Sequence, residues 1–205
     1  MTLPKISEVI KSLDISSISK DRKRILAPLI AYIQEKLDTN KEIKLNFICT
    51  HNSRRSHFSQ VWAQAIAAYF NLNKVVCYSG GTEATALYPM VAETLKDLGF
   101  VIKVISKGSN PIYNITYSEK VSPINAFSKT FDSETNPKTE FAAILTCSDA
   151  DENCPLIKGA EIRIPITYED PKVSDGTPNQ KAVYKDRSLQ IATEMKYVFS
   201  EIKSL

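Results

Sequence analysis

Four short apolar runs constrain the fold most. They read IKLNFIC (43–49), KVVCYS (74–79), FAAILTC (141–147) and AEIRIPI (160–166). Helical patterns fall between and after them. SHFSQVWAQAIAAYF (56–70) places Phe58, Val61, Trp62, Ala65, Ile66 and Tyr69 at helical spacing, and YPMVAETLKDLG (88–99) ends on Gly99, a C-cap glycine. A long helix is expected over 179–205. Apolar strands alternating with helices predict a parallel sheet with right-handed crossovers.

Two segments stand outside that alternation. Residues 1–43 read as an N-terminal helical extension to a domain over 44–205. Within it, Ile25, Leu26, Leu29, Ile30, Ile33 and Leu37 form one helical face, Ser19 reads as the N-cap, and Pro28 predicts a kink or break. Residues 101–118 read as a hairpin around Gly-Ser-Asn-Pro, added to the sheet edge, and 119–140 as a polar loop.

Composition excludes several classes. At 205 residues the chain can bury one full core, and a net charge of +3 is too weak to imply nucleic acid. No window of the sequence is long and apolar enough for a membrane span, so a cytoplasmic protein is expected. The two histidines, His51 and His57, share one segment and lack zinc spacing with the cysteines, so no metal and no cofactor is expected. His57, in the first turn of a helix, is expected to be neutral and structural.

The chemistry concentrates where the first strand ends, in CTHNSRRS (49–56). A loop leaving a strand and opening a helix can turn successive backbone N–H groups inward, which makes a cradle for an anion. The same field favours a thiolate at Cys49. Arg55, six positions on, can hold two oxygens of a tetrahedral oxyanion, and Ser56 can donate its hydroxyl to the sulfur. Thr50, His51, Asn52, Ser53, Arg54, Arg55 and Ser56 are the oxyanion-binding candidates.

FICTHNSRRS resembles the Cys-x5-Arg-Ser loop of low-molecular-weight protein tyrosine phosphatases and of the arsenate reductases that share their fold. YSGGTEATALYPMVAETLKDLGF and the YEDPK segment are similar to further stretches of that family. The resemblance covers roughly 44–205 and implies a three-layer α/β sandwich on a four-stranded parallel sheet. It implies that Asp170 is the general acid, carried over the sheet edge by the loop after the fourth strand.

LTCSDADENCP (145–155) resembles the loop that carries two further cysteines in thioredoxin-coupled arsenate reductases. That resemblance implies a relay. Cys49 attacks arsenate, Cys147 attacks Cys49, Cys154 attacks Cys147, and thioredoxin reduces the last disulfide. Cys77, inside a strand, reads as core. The loop departs from the family at His51, where glycine is usual, and at Arg54, which adds positive charge. Some reductases hold potassium through a helix glutamate; Gln60 stands there instead. Two other functions remain open at this stage: hydrolysis of phosphate monoesters by Cys49, Arg55 and Asp170 alone, and a non-catalytic phosphoprotein-binding or redox-sensing module.

Overall fold

A computed structural model of the chain describes residues 2–153 and 156–203. The four apolar runs form β1 (Ile43–Cys49), β2 (Val75–Gly81), β6 (Phe141–Leu145) and β7 (Ala160–Pro165). They make one parallel sheet in the order β2-β1-β6-β7. The helices between and after them are α3 (Arg55–Tyr69), α4 (Pro89–Asp97), α5 (Ser148–Asn153) and α6 (Gln180–Ser200). This is the α/β architecture expected from the alternation.

Side chains alternate across the sheet with the strand period of two. Ile43, Leu45 and Phe47 of β1 and Ala142 and Ile144 of β6 face the main core with Phe58, Val61, Trp62 and Ile66 of α3 and Ile191 and Met195 of α6. The Trp62 indole N–H donates to Ser188 Oγ on α6 at 2.9 Å, which satisfies the polar atom of an otherwise buried ring. Ile48, Cys49, Phe141, Ala143, Leu145 and Cys147 belong to a smaller cluster with Ala150 and Ile157.

α1 (Pro4–Ser12) and α2 (Lys20–Asp38) bury Ile6, Ile10, Leu26, Leu29 and Ile33 in the main core. Ser19 caps α2 by accepting from the Arg22 N–H at 3.1 Å. Pro28 does not break α2, because Leu26, Leu29 and Ile33 on either side of it are packed in the core. Ile25, expected on the apolar face, is exposed, and Tyr32 and Lys36 continue the buried stripe instead. Arg22 grips Glu194 of α6 with two 2.8 Å hydrogen bonds, and Lys36 pairs with Glu161 at 2.6 Å.

The segment 101–118 departs from expectation. β3 (Val101–Ser106) and β4 (Ile112–Thr116) do form an antiparallel hairpin, but it pairs with β5 (Ile124–Ala126) in a separate three-stranded sheet. Tyr113, Ile115 and Ala126 drop into the main core from one face of that sheet, so its burial comes from stacking rather than from strand pairing at the β2 edge. The end of β2 is covered by residues 129–131. Gly81 N–H donates to Lys129 O and Phe131 N–H donates to Gly81 O, both at 2.9 Å. Gly99, at φ +106°, turns the chain out of α4 and into β3 as a C-cap glycine does.

Candidate active site

Cys49 ends β1 and is 3% exposed, and Arg55 opens α3. Between them the chain makes its tight turn at Asn52, with φ +44°. His51 stays outside the left-handed region, so its substitution for glycine costs no backbone strain. Asn52 is locked at both ends of its amide. Its oxygen accepts from the Lys129 N–H at 2.9 Å, and its NH2 donates to Ser56 Oγ at 2.8 Å. Ser56 Oγ lies 3.1 Å from Cys49 Sγ. The Ser56 hydroxyl accepts from Asn52 and keeps its own proton, which it can donate to the sulfur when Cys49 acts as a thiolate.

Gly81 lets the loop close. A Cβ there would lie 2.5 Å from Thr50 O and 2.7 Å from Asn52 N. The residues just after it hold the loop, since Thr82 N–H donates to Cys49 O at 3.1 Å and Glu83 N–H to Thr50 O at 2.9 Å. Sequence reasoning overlooked this close approach, although the paired glycines of YSGGT carry the signal. The role of Ser128 was also missed: its hydroxyl donates to His51 O at 2.8 Å.

The structure brings Asp170 to Arg55. Arg55 Nη2 donates to Asp170 Oδ2 at 2.7 Å and Nη1 donates to Tyr168 O at 3.1 Å. The other Asp170 oxygen accepts from the Lys172 N–H at 3.0 Å and caps a short turn over Pro171–Ser174. Tyr168 N–H donates to Thr146 O at 3.1 Å, which ties the acid loop to the residue before Cys147. The Tyr168 ring is buried under the Arg22 guanidinium, 4.8 Å from its centroid, so it is not a platform for an aromatic substrate. Burial pushes its phenol well above the usual range.

Arg54 does not bring its side chain to the cradle. Its Nε donates to Tyr184 OH and its Nη2 to Asp175 Oδ2, each at 2.6 Å, and its guanidinium lies 4.2 Å from the Tyr88 ring centroid. The added charge expected at the pocket is thus neutralised by Asp175 and serves to pin the start of α3 to α4 and α6. His51 flanks the loop, with Nδ1 2.6 Å from Glu83 Oε1. Ser53 accepts the Tyr88 N–H through its carbonyl at 3.1 Å. His57 is fully buried and, through desolvation and the nearby Lys129 charge, its imidazole is pushed down to about 3. It is a neutral structural ring, 3.4 Å from Ser79 Oγ, as its place in the first helical turn implied.

Cys147 is 1% exposed and shares the small cluster with Cys49. Its strand pairs with β1, so that Thr146 N–H donates to Ile48 O at 2.7 Å. Thr50 joins the two thiol-bearing segments: its hydroxyl donates to Asp149 Oδ2 at 2.6 Å and lies 3.5 Å from Cys147 Sγ. The Ala150 N–H also points at Cys147 Sγ, at 3.4 Å. The polar residues that follow, read as a loop, form α5. Cys154 lies outside the described residues. Cys77 is buried in β2, and desolvation pushes its thiol up, consistent with a core role.

Gln60 keeps its side-chain oxygen buried and without a hydrogen-bond partner among the described residues. Its amide NH2 donates to Cys77 O at 3.0 Å, and the buried Lys129 side chain lines the same cavity, where it would repel a second cation.

No family model matches the chain. Arsenate reductase 2 of Staphylococcus epidermidis is 29% identical over 126 residues, 61% of this chain and 76% of that one. The arsenate reductase of Halalkalibacterium halodurans is 26% identical over 158 residues, 77% of this chain and 94% of that one. Among solved structures, the low-molecular-weight protein tyrosine phosphatase of T. tengcongensis superposes with a TM-score of 0.52 at 16% identity, covering 78% of this chain and all of that one (100%). An arsenate reductase in the phosphate binding state gives 0.50 at 17% identity, covering 78% and 99%. In sequence the chain is similar to bacterial arsenate reductases, and its fold is the one that low-molecular-weight protein tyrosine phosphatases and arsenate reductases share.

Proposed function

We propose that the chain reduces arsenate to arsenite through Cys49, Cys147 and Cys154. One observation carries this reading. Cys147, a second thiol that hydrolysis does not need, is buried in the same cluster as Cys49, and Thr50 bridges their segments.

In this reading Cys49 thiolate attacks arsenic. Asp170 gives its proton to a departing hydroxyl, which leaves as water, and Arg55 with the loop N–H groups of Thr50–Ser56 holds the remaining oxygens. Cys147 thiolate then attacks Cys49 Sγ. The S–As bond breaks, its electron pair stays on arsenic, and As(V) leaves as As(III) while a 49–147 disulfide forms. Cys154 attacks Cys147 Sγ and expels Cys49 as thiolate. The 147–154 disulfide is reduced by an external dithiol protein, for which thioredoxin is the reading's candidate.

Without Cys147 the same machinery supports phosphate monoester hydrolysis, because Cys49, Arg55 and Asp170 suffice for nucleophile, clamp and acid. Cys147→Ser therefore separates the two chemistries. The variant is expected to lose catalytic arsenate turnover with thioredoxin while keeping aryl phosphate hydrolysis. Arsenate turnover retained in Cys147→Ser, or undetectable in the wild type, refutes the relay. Asp170→Asn is expected to slow both reactions by about 10²-fold or more.

A further inference from the structure

A cavity of about 580 Å³ lies between the outer edge of β2 and the three-stranded sheet. Val75 of β2, Ile105 of β3, Ile112 of β4 and Ile124 of β5 line it, with Phe127 and Lys129 from the segment that follows. Cys49, Arg55 and Asp170 do not, so the space is separate from the cradle. Its β2 wall is closed to a further strand. Gln64 accepts the Cys77 N–H at 2.8 Å and donates to Val75 O at 3.0 Å, Gln60 donates to Cys77 O at 3.0 Å, and Asn136 donates to Ser79 O at 2.9 Å. These amides take the backbone groups that an edge strand offers a peptide. The space therefore suits a small molecule, and its volume falls among those of such pockets, about 300–1,000 Å³.

Lys129 brings one charge to it. The residue is 7% exposed, and its ammonium has no hydrogen-bond or ion-pair partner among the described residues. Gln60 Oε1 and Asn136 Oδ1 are sealed from solvent, but the ammonium is not, so it keeps accessible surface on the cavity. The Phe127 ring lies 4.6 Å from Nζ and covers one side of it, which leaves N–H donors unmet. No carboxylate lines the cavity. The other titratable groups around the ammonium do not balance it. His57 is pushed down to about 3, and burial pushes Cys77, Tyr78 and Tyr117 up, so all four are neutral near pH 8. An unpaired buried ammonium is costly, and an anion in the cavity offsets that cost.

We propose that this cavity binds a small organic carboxylate, its charge held by Lys129 and its flat apolar body by Ile105, Ile112, Ile124 and Phe127. One cation calls for one negative charge. The apolar lining calls for a body that covers it, which an inorganic oxyanion does not supply. Ile105, 57% exposed, is the kind of residue such a body shields from water. The site takes no part in the reaction at Cys49, but it touches the support of the loop. The Lys129 N–H donates to Asn52 Oδ1 and the Lys129 carbonyl accepts the Gly81 N–H, both at 2.9 Å.

The test uses the full chain, with 2-naphthoate as the probe and calorimetry at about pH 8.5 in two buffers of different ionisation enthalpy. Burial holds the free amine at about 8, so at that pH most of it has lost its proton, and a bound carboxylate restores it. Binding is expected to be saturable and to take up most of one proton from the buffer. The neutral amide of the same acid is expected to bind at least about ten-fold more weakly. K129M is expected to weaken naphthoate binding about ten-fold or more and to abolish the proton uptake. K129R keeps the charge without titrating, and is expected to bind within about three-fold of wild type with no proton uptake, which separates the charge from a general loss of structure. Naphthoate is expected to leave Cys49 open to iodoacetamide, whereas phosphate protects it. No saturable binding up to about 1 mM, equal binding of acid and amide, no proton uptake by wild type, full binding by K129M, or protection of Cys49 by naphthoate overturns the site.

Discussion

Ser56 Oγ lies 3.1 Å from Cys49 Sγ and is itself held by Asn52, so the serine is placed to donate to the sulfur when Cys49 reacts as a thiolate. Removing the hydroxyl takes away a hydrogen bond to a charged group, worth about 1.5–3 kcal/mol. Ser56→Ala is expected to slow alkylation of Cys49 by iodoacetamide at neutral pH, and turnover with it, by about ten-fold or more. An unchanged alkylation rate would mean that the serine proton points elsewhere.

The approach of the β2 end to the loop makes Gly81 a sensitive position. In Gly81→Ala the new methyl meets Thr50 O and Asn52 N, both backbone atoms that cannot swing aside. The cradle must shift, and a misplacement of about 1 Å costs about 10²-fold in rate. We expect arsenate reduction and aryl phosphate hydrolysis to fall together, with phosphate losing its ability to protect Cys49 from alkylation. Loss of one activity alone would argue against a shared cradle.

His57 sets a pH dependence on the acid side. Its folded value of about 3 lies below its ordinary 6.5, so between these values the unfolded chain binds a proton that the native ring refuses. Stability therefore rises with pH across that window and is lost as pH falls through it, by roughly 5 kcal/mol in full. Denaturant titrations of wild type and His57→Gln at pH 4 to 7 should show a shallower slope for the variant. Parallel curves would show that another group carries the acid loss.

Lys129 does the same on the alkaline side. Burial depresses its ammonium from 10.5 to about 8, and its side chain contacts the Phe127 ring at 4.6 Å. Between these values the unfolded chain holds the proton and the native chain has lost it, so stability gains with rising pH, by about 3 kcal/mol at most. Below pH 8 the buried charge is a standing cost. Lys129→Met, which keeps the stem, is expected to be more stable than wild type near pH 7 and to lose the alkaline gain. A destabilised methionine variant would mean that the ammonium has a stabilising partner.

How much was legible beforehand depended on the range of each signal. The strands and helices of the parallel sheet follow from apolar periodicity, and the Ser19 cap and the helix start at Arg55 follow from local chemistry. The hairpin was visible as a hairpin but not as part of a separate sheet. Its placement depends on Tyr113 and Ile115 reaching a core built by residues far along the chain. Cys147 could be placed at the same sheet edge as Cys49, because parallel strands end together.

The sequence by itself determined that a strand would deliver Cys49 into a loop closed by a helix, since these are short-range preferences of backbone and burial. Only the tertiary structure decided where the side chains of the two arginines go. Arg54 and Arg55 are neighbours, but Arg54 is the N-cap, with φ −131° and ψ −79°, and Arg55 is the first helical residue. Tyr184 and Asp175 from the C-terminal region draw Arg54 away, while Asp170 and Tyr168 receive Arg55. In the same way the Lys129 backbone holds Asn52, not His51, at the positive φ. Such choices belong to partners more than a hundred positions away in the one case and 77 in the other, and no local pattern encodes them.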